Sequence, residues 1–156
     1  MTISETQITP SRSRRLQRDV LSSGIIPVRF TEGRVQYLLL RVYSYWDFPK
    51  GVVLRNEDPL IGAIRELEEE TALRNPKFKW GEEFRETPKY ARGKTARYYI
   101  AELEQGEVEL RPNPFTGRLE HHEFAWFDYE EARELVSPRV KPIFEWAHAK
   151  IISENV

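Results

Sequence analysis

Glu66, Glu68, Glu69 and Glu70 fall within five consecutive positions. Carboxylates are the side chains suited to holding a hard divalent cation or to taking a proton from water. Helical spacing sorts them: i, i+3 and i+4 place Glu66, Glu69 and Glu70 on one stripe and turn Glu68 elsewhere. At the C-terminal end of a helix these charges oppose a dipole that is already negative and repel one another. Each effect costs about 0.3–1 kcal/mol at a surface, and no lysine is interleaved to offset them. One reading is a solvated acidic face. The other is a cation site, because Mg²⁺ or Mn²⁺ would remove the repulsion and bridge to phosphate oxygens.

The element carrying these glutamates is legible on both sides. Asp58 is placed to cap a helix over residues 58–71, and Pro59 occupies the first helical position, where its missing N–H is harmless. At about 100° per residue, Leu60, Ile61, Ala63, Ile64, Leu67 and Thr71 share one broad face and Arg65, Glu66, Glu69 and Glu70 the opposite arc. Gly62 points into the charged arc, where a side chain would crowd whatever binds.

Around that helix the pattern alternates strand and helix. Residues 20–30 and 35–43 read as two strands about a glycine turn. "SYWDFPKG" reads as a rigid loop from which Pro49 excludes helix, and 83–91 and 94–103 as a strand pair. Residues 107–110 form a candidate short strand, 112–117 a loop, and 121–127 a further strand. Asp128 is positioned to cap a helix through Val136, broken by Ser137-Pro138. Residues 139–153 give a last amphipathic helix with Val140, Ile143, Phe144, Ala147 and Ile151 on one side. The expected class is α/β (α+β): a curved mixed sheet flanked by helices.

The chain of 156 residues suits one domain. Its formal charge of −1 argues against general affinity for nucleic acid or anionic membrane. The absence of cysteine excludes disulfides and thiolate metal sites and favours a reducing compartment. No apolar run reaches membrane-span length, so a soluble, cytoplasmic protein is expected. Residues 1–18, with Arg12, Arg14, Arg15 and Arg18, read as a flexible basic arm; an organelle transit peptide is the alternative. The domain is expected over 19–156.

The string "GVVLRNEDPLIGAIRELEEETAL" resembles the Nudix hydrolase box, G-x5-E-x7-R-E-U-x-E-E-x-G-U, where U is a bulky aliphatic. Gly51, Glu57, Arg65, Glu66, Leu67, Glu69, Glu70 and Leu73 fall in register. Ala72 stands where the family usually has glycine. That glycine ends the helix at positive φ, so alanine there costs about 1 kcal/mol or diverts the chain. The resemblance implies an α/β/α sandwich, with Glu66, Glu69 and Glu70 as Mg²⁺ or Mn²⁺ ligands aided by the carbonyl of Lys50. It implies that Arg65 and Glu57 form a supporting ion pair, and that a metal-activated water attacks phosphorus in a nucleoside diphosphate linked to another group. Glu66 and an acidic residue on a later loop both stand as candidates for the general base.

"WDFPKG", "KTARYYIAEL" and "EHHEFAWFDYEEARELV" are similar to the asymmetrically cleaving diadenosine tetraphosphate hydrolases, a likeness running from about Ser23 to Ile151. Val52, Arg55 and Asn56 depart from that subfamily's usual His and Pro-Gly. A dinucleoside polyphosphate requires cations along its phosphates and π-faces for its bases. Lys50, Arg41 and Lys94 are the candidate phosphate contacts, and Tyr43, Trp46, Tyr98 and Phe115 the candidate stackers. Trp46 reads as packing under its loop, and each stacker reads equally as core or edge packing. Glu120 matches the subfamily's late carboxylate as a further metal ligand, and His121 is a candidate phosphate contact or a surface histidine.

The expected partner is therefore a small nucleotide, in a monomer or homodimer, with no membrane. Nucleic acid is not expected, RNA 5′ ends excepted. Removal of diphosphate from RNA 5′ ends and hydrolysis of diphosphoinositol polyphosphates are the alternative activities. A Nudix-fold module that binds nucleotide without catalysis is the reading from another class.

Overall fold

The structure is a computed structural model and describes residues 19–154; the basic arm expected over 1–18 lies outside the described residues. Among the described residues, seven strands and three helices follow the order β1 (Val20–Thr31), β2 (Arg34–Val42), β3 (Tyr45–Asp47), β4 (Lys50–Val52), α1 (Pro59–Thr71), β5 (Phe84–Glu86), β6 (Lys94–Glu102), β7 (Glu123–Asp128), α2 (Tyr129–Leu135) and α3 (Lys141–Glu154).

All seven strands join one mixed sheet. β1 runs parallel to β6 from Val20 opposite Lys94 to Val28 opposite Glu102, and the remaining pairings are antiparallel. A strand has only two hydrogen-bonding edges. β1 gives one edge to β6 and divides the other between β2 (from Val28) and β4 (Ser22 to Gly24). β2 gives one edge to β7 and divides the other between β1 and β3. The two long strands therefore part company beyond Val28 and Tyr37, and the short strands β3 and β4 fill the fork. The segment "SYWDFPKG", read as a loop, supplies both.

Period-2 alternation turns the sheet's two faces to two cores. Ile25, Leu38, Leu40, Tyr99 and Ala101 pack against Ala63 and Leu67 of α1. Ile26, Val28, Tyr37, Leu39 and Ile100 pack against Ala132 of α2 and Ile143, Phe144 and Ala147 of α3. The result is the expected α/β/α arrangement. Ile61, assigned to the apolar face of α1, is instead exposed, and Gly62 is buried.

Three other expectations change. Pro88 cannot donate to a ladder, and β5 accordingly ends at Glu86. Residues 107–110 form no strand; the Glu109 N–H donates to the Thr71 carbonyl at 2.8 Å and closes the end of α1. Asp128 stands at the start of α2 without capping it, because its carboxylate accepts from Arg34 and Gln36 of the neighbouring strand.

Candidate functional site

The glutamate helix begins and ends as its sequence dictates. Asp58 accepts from the Leu60 N–H at 2.8 Å. At the other end Ala72 adopts φ 70°, ψ 1°, and its N–H donates to the Glu68 carbonyl at 2.9 Å. The family's glycine conformation is thus kept without the glycine. Thr71 seals this end by donating its hydroxyl to the Leu67 carbonyl and accepting from Leu73 N.

β4 lies along the acidic side of the helix, and the contact is close. A Cβ on Gly51 would sit 2.1 Å from the Glu66 carboxyl carbon. On Gly62 it would sit 2.9 Å from a Glu57 carboxylate oxygen. Both glycines leave room for carboxylates.

Arg65 organises the group. Its Nε and Nη2 donate to the two oxygens of Glu57 at 2.8 and 3.0 Å, and Nη2 also reaches the Val52 carbonyl at 3.2 Å. Its Nη1 donates to Glu66 at 2.9 Å and Glu69 at 3.1 Å. Glu57 in turn accepts from Leu54 N. The ion pair therefore ties the loop between β4 and α1 to the helix. The hydrogen bonds from Arg65 hold the Glu57 carboxyl below its ordinary range.

Glu70 has the least comfortable environment. One carboxylate oxygen is buried with no hydrogen-bond partner. Burial, first, and then the charges of Glu66 and Glu120 raise its pKa well above the ordinary value, while Lys50 partly relieves it. Burial also raises Glu66, against the pull of Arg65. An ionised carboxylate in such a place requires a positive partner or protonation. The donor set is all oxygen, as hard divalent cations prefer. Among the described residues, no three acidic or histidine side chains already converge on a point. The reason is visible in Arg65, which holds Glu66 and Glu69; a cation would have to replace those two bonds, leaving Arg65 on Glu57. The residues present thus fit a divalent cation by the chemistry of their donor set, with Glu66 and Glu69 available to it once Arg65 releases them.

These groups line a cleft of ≈ 300 Å³ together with Lys50, Arg111, Phe115, Glu120 and His121. The Lys50 ammonium stands 3.6 Å from Asp47. Burial works against its charge, but Asp47, Tyr90 and Glu70 outweigh it and keep the pKa raised. His121 lies 3.8 Å from Glu70, with its pKa lowered chiefly by burial. β7 begins at Glu123 and not at 121; the His122 N–H still bonds to the Arg41 carbonyl of β2, and His121 before it lines the cleft.

Four expected substrate contacts are not brought to this cleft. Tyr98 is completely buried, with its hydroxyl donating to Asp47 at 3.0 Å, so it has no face to offer a base. Arg41 pairs with Glu123 at 2.7 Å. Tyr43 is exposed beside His122, outside the cleft lining. Lys94 opens β6 and closes a turn with Tyr90. Trp46 packs edge-on against Phe127 at 5.2 Å, as read. Conversely, Arg111 and Asn113 line the cleft without having been singled out. The turn-rich string "PNPFTG" was the one signal available for Asn113.

The sequence model of the NUDIX domain family matches residues 20–147. The chain is 32% identical over 117 residues to the mouse asymmetrical bis(5′-nucleosyl)-tetraphosphatase, covering 71% of this chain and 76% of that protein. It is 27% identical over 129 residues to an RNA pyrophosphohydrolase of Bartonella henselae, covering 73% and 72% of the two chains. A crystal structure of a Caenorhabditis elegans Ap4A hydrolase binary complex superposes with a TM-score of 0.73 at 23% identity, covering 86% of this chain and 98% of that one. Members of the family generally use divalent metal ions. No helix among the described residues is long and apolar enough to cross a membrane. With the family match spanning both cores and the glutamate cleft, the chain belongs to the Nudix family and is a Nudix hydrolase.

Proposed function

We propose that this protein is a Mg²⁺- or Mn²⁺-dependent pyrophosphohydrolase that cleaves dinucleoside polyphosphates, chiefly diadenosine tetraphosphate to ATP and AMP. The observation that carries the reading is Glu70, whose buried carboxylate oxygen has no hydrogen-bond partner in a cleft also lined by Glu66, Lys50 and Arg111. Glu66, Glu69 and Glu70, with the Lys50 carbonyl and Glu120, are the groups that would hold the cation. When bound, it supplies acidification of a water and neutralisation of charge on the leaving phosphate.

The chain's own residues do the rest. Arg65 stays on Glu57 and keeps the loop after β4 against the helix while releasing Glu66 and Glu69. Glu66 takes the proton of the attacking water, with Glu120 as the alternative base. Lys50 and Arg111 meet the phosphate chain, Arg111 taking the place expected of Arg41 and Lys94, and His121 completes the wall. At ≈ 300 Å³ the cleft is at the small end of ligand pockets. It suits a phosphate chain, with the nucleosides resting on the rim. Phe115, 87% exposed at that rim, offers a base its π-face. The likeness to the mouse asymmetrical bis(5′-nucleosyl)-tetraphosphatase supports the choice of substrate.

The deciding experiment is a Mg²⁺-supported panel of dinucleoside polyphosphates, triphosphorylated RNA, diphosphoinositols, ADP-ribose and oxidised dNTPs. The highest kcat/KM is expected for diadenosine tetraphosphate, with ATP and AMP as products. Preference for RNA 5′ ends would overturn the substrate. Binding without turnover would favour a non-catalytic module.

A further inference from the structure

Between β6 and β7 the chain makes a turn whose details the proposed reaction does not use. Pro112 bridges to Leu119, and Asn113 and Arg118 close the base of the turn with a 2.7 Å backbone hydrogen bond. Inside it, the Asn113 side chain faces two ways. Its Oδ1 accepts from Phe115 N at 2.7 Å and Thr116 N at 3.2 Å. Its Nδ2 donates to Glu120 Oε2. One amide therefore holds both the backbone that carries the exposed Phe115 ring and the carboxylate that stands beside Glu70 in the cleft.

Asn and Gln carry an acceptor oxygen and a donor nitrogen on one planar amide, so the two roles can face opposite ways at once, and the shorter Asn also closes the tight turn on its own backbone. An aspartate would close the same turn but would confront Glu120 with a second charge. A serine would close the turn and fall short of Glu120. The turn itself thus needs an acceptor, while the choice of an amide is explained by Glu120.

We propose that Asn113 is a positioning residue: it fixes Glu120 toward the cation side of the cleft and makes that carboxylate and the Phe115 rim one mechanical unit. This rests on the cation-dependent reading of the cleft given above. The hydrogen bond to an ionised acceptor is charge-assisted, and it removes the freedom an exposed glutamate would otherwise lose on ligation. Partners that orient ligands in this way are worth about 10–100-fold in affinity or activity when removed.

The test is a double-mutant cycle in the full chain, using Asn113→Ser, which keeps the turn acceptor, and Glu120→Ala. Mn²⁺ binding is followed by the free-ion EPR signal, folding by Tm, and kcat and KM are measured on diadenosine tetraphosphate. Asn113→Ser is expected to weaken Mn²⁺ by about 10-fold with Tm kept, and to have no further effect once Glu120 is alanine. An equal effect in both backgrounds would show that Asn113 serves the turn alone and would overturn the proposal, as would no effect in either. The EPR arm decides even if the wild type leaves diadenosine tetraphosphate intact, an outcome that would reject the substrate reading and not this one.

Discussion

The carboxylate of Glu66 occupies the space that a side chain at Gly51 would need. A Cβ there would meet the carboxyl carbon at 2.1 Å and its two oxygens at 2.2 and 2.3 Å. The obstacle is the far end of a flexible side chain, so Gly51→Ala is expected to fold and to displace Glu66. A misplacement of about 1 Å costs about 100-fold in rate. Steady-state kinetics should show kcat falling by that order while Tm changes little. A variant with unimpaired kcat would mean that Glu66 has no need of its present position.

Glu57 and Arg65 provide a pH test. The folded protein holds the Glu57 carboxyl below its ordinary value of 4.5, chiefly through the Arg65 hydrogen bonds. A depressed carboxylate contributes stability that is fully present above the unfolded pKa and is lost as pH falls through the folded one. Wild type should therefore exceed Glu57→Gln in Tm near neutrality, with the gap closing in acid below the ordinary carboxylate range. Thermal melts of both proteins across pH would show the gap; a constant difference would argue against ion-pair linkage.

Glu70 sets function against stability. Its raised pKa means that folding disfavours the ionised form, so the penalty is absent in acid and grows as pH rises through the unfolded value toward the folded one. Removing the charge with Glu70→Gln should stabilise the chelator-treated protein at neutral pH by about 1 kcal/mol. The same change should abolish the rise in Tm that Mg²⁺ or Mn²⁺ gives the wild type, together with phosphate release. A Tm in EDTA below that of wild type would contradict the assignment of Glu70 as an uncompensated charge.

Ala72 stores backbone strain at φ 70°. Glycine enters this region freely, so Ala72→Gly should add about 1 kcal/mol and raise Tm by roughly 2–4 °C for a chain of this size. No cleft group is touched, and kcat and KM should stay unchanged. Differential scanning calorimetry beside a standard activity assay is sufficient.

Much of the chemistry was decided within one stretch of sequence. The spacing of Glu66, Glu69 and Glu70, the cap at Asp58, the missing side chain at Gly62, and the eight-residue step from Glu57 to Arg65 all concern one helix and the loop before it. Helical periodicity is local, so residue number alone places those side chains. Tyr98 shows where this stops. Its string resembles a strand of the diadenosine tetraphosphate hydrolases and its ring is a candidate stacker, but alternation decides only which residues share a face. Pairing with β1 and β5, and the arrival of Asp47 from the β3–β4 fork, made its face an interior one. Arg41, Tyr43 and Lys94 were left outside the cleft for the same reason: a strand's neighbours come from distant sequence. Arg111 and Asn113 entered the cleft because the turn before β7 folds back on itself and the chain leading into it is tied at Glu109 to the end of α1. The sequence by itself determined what the glutamate helix offers; only the tertiary structure decided which cations, rings and amides are brought to face it.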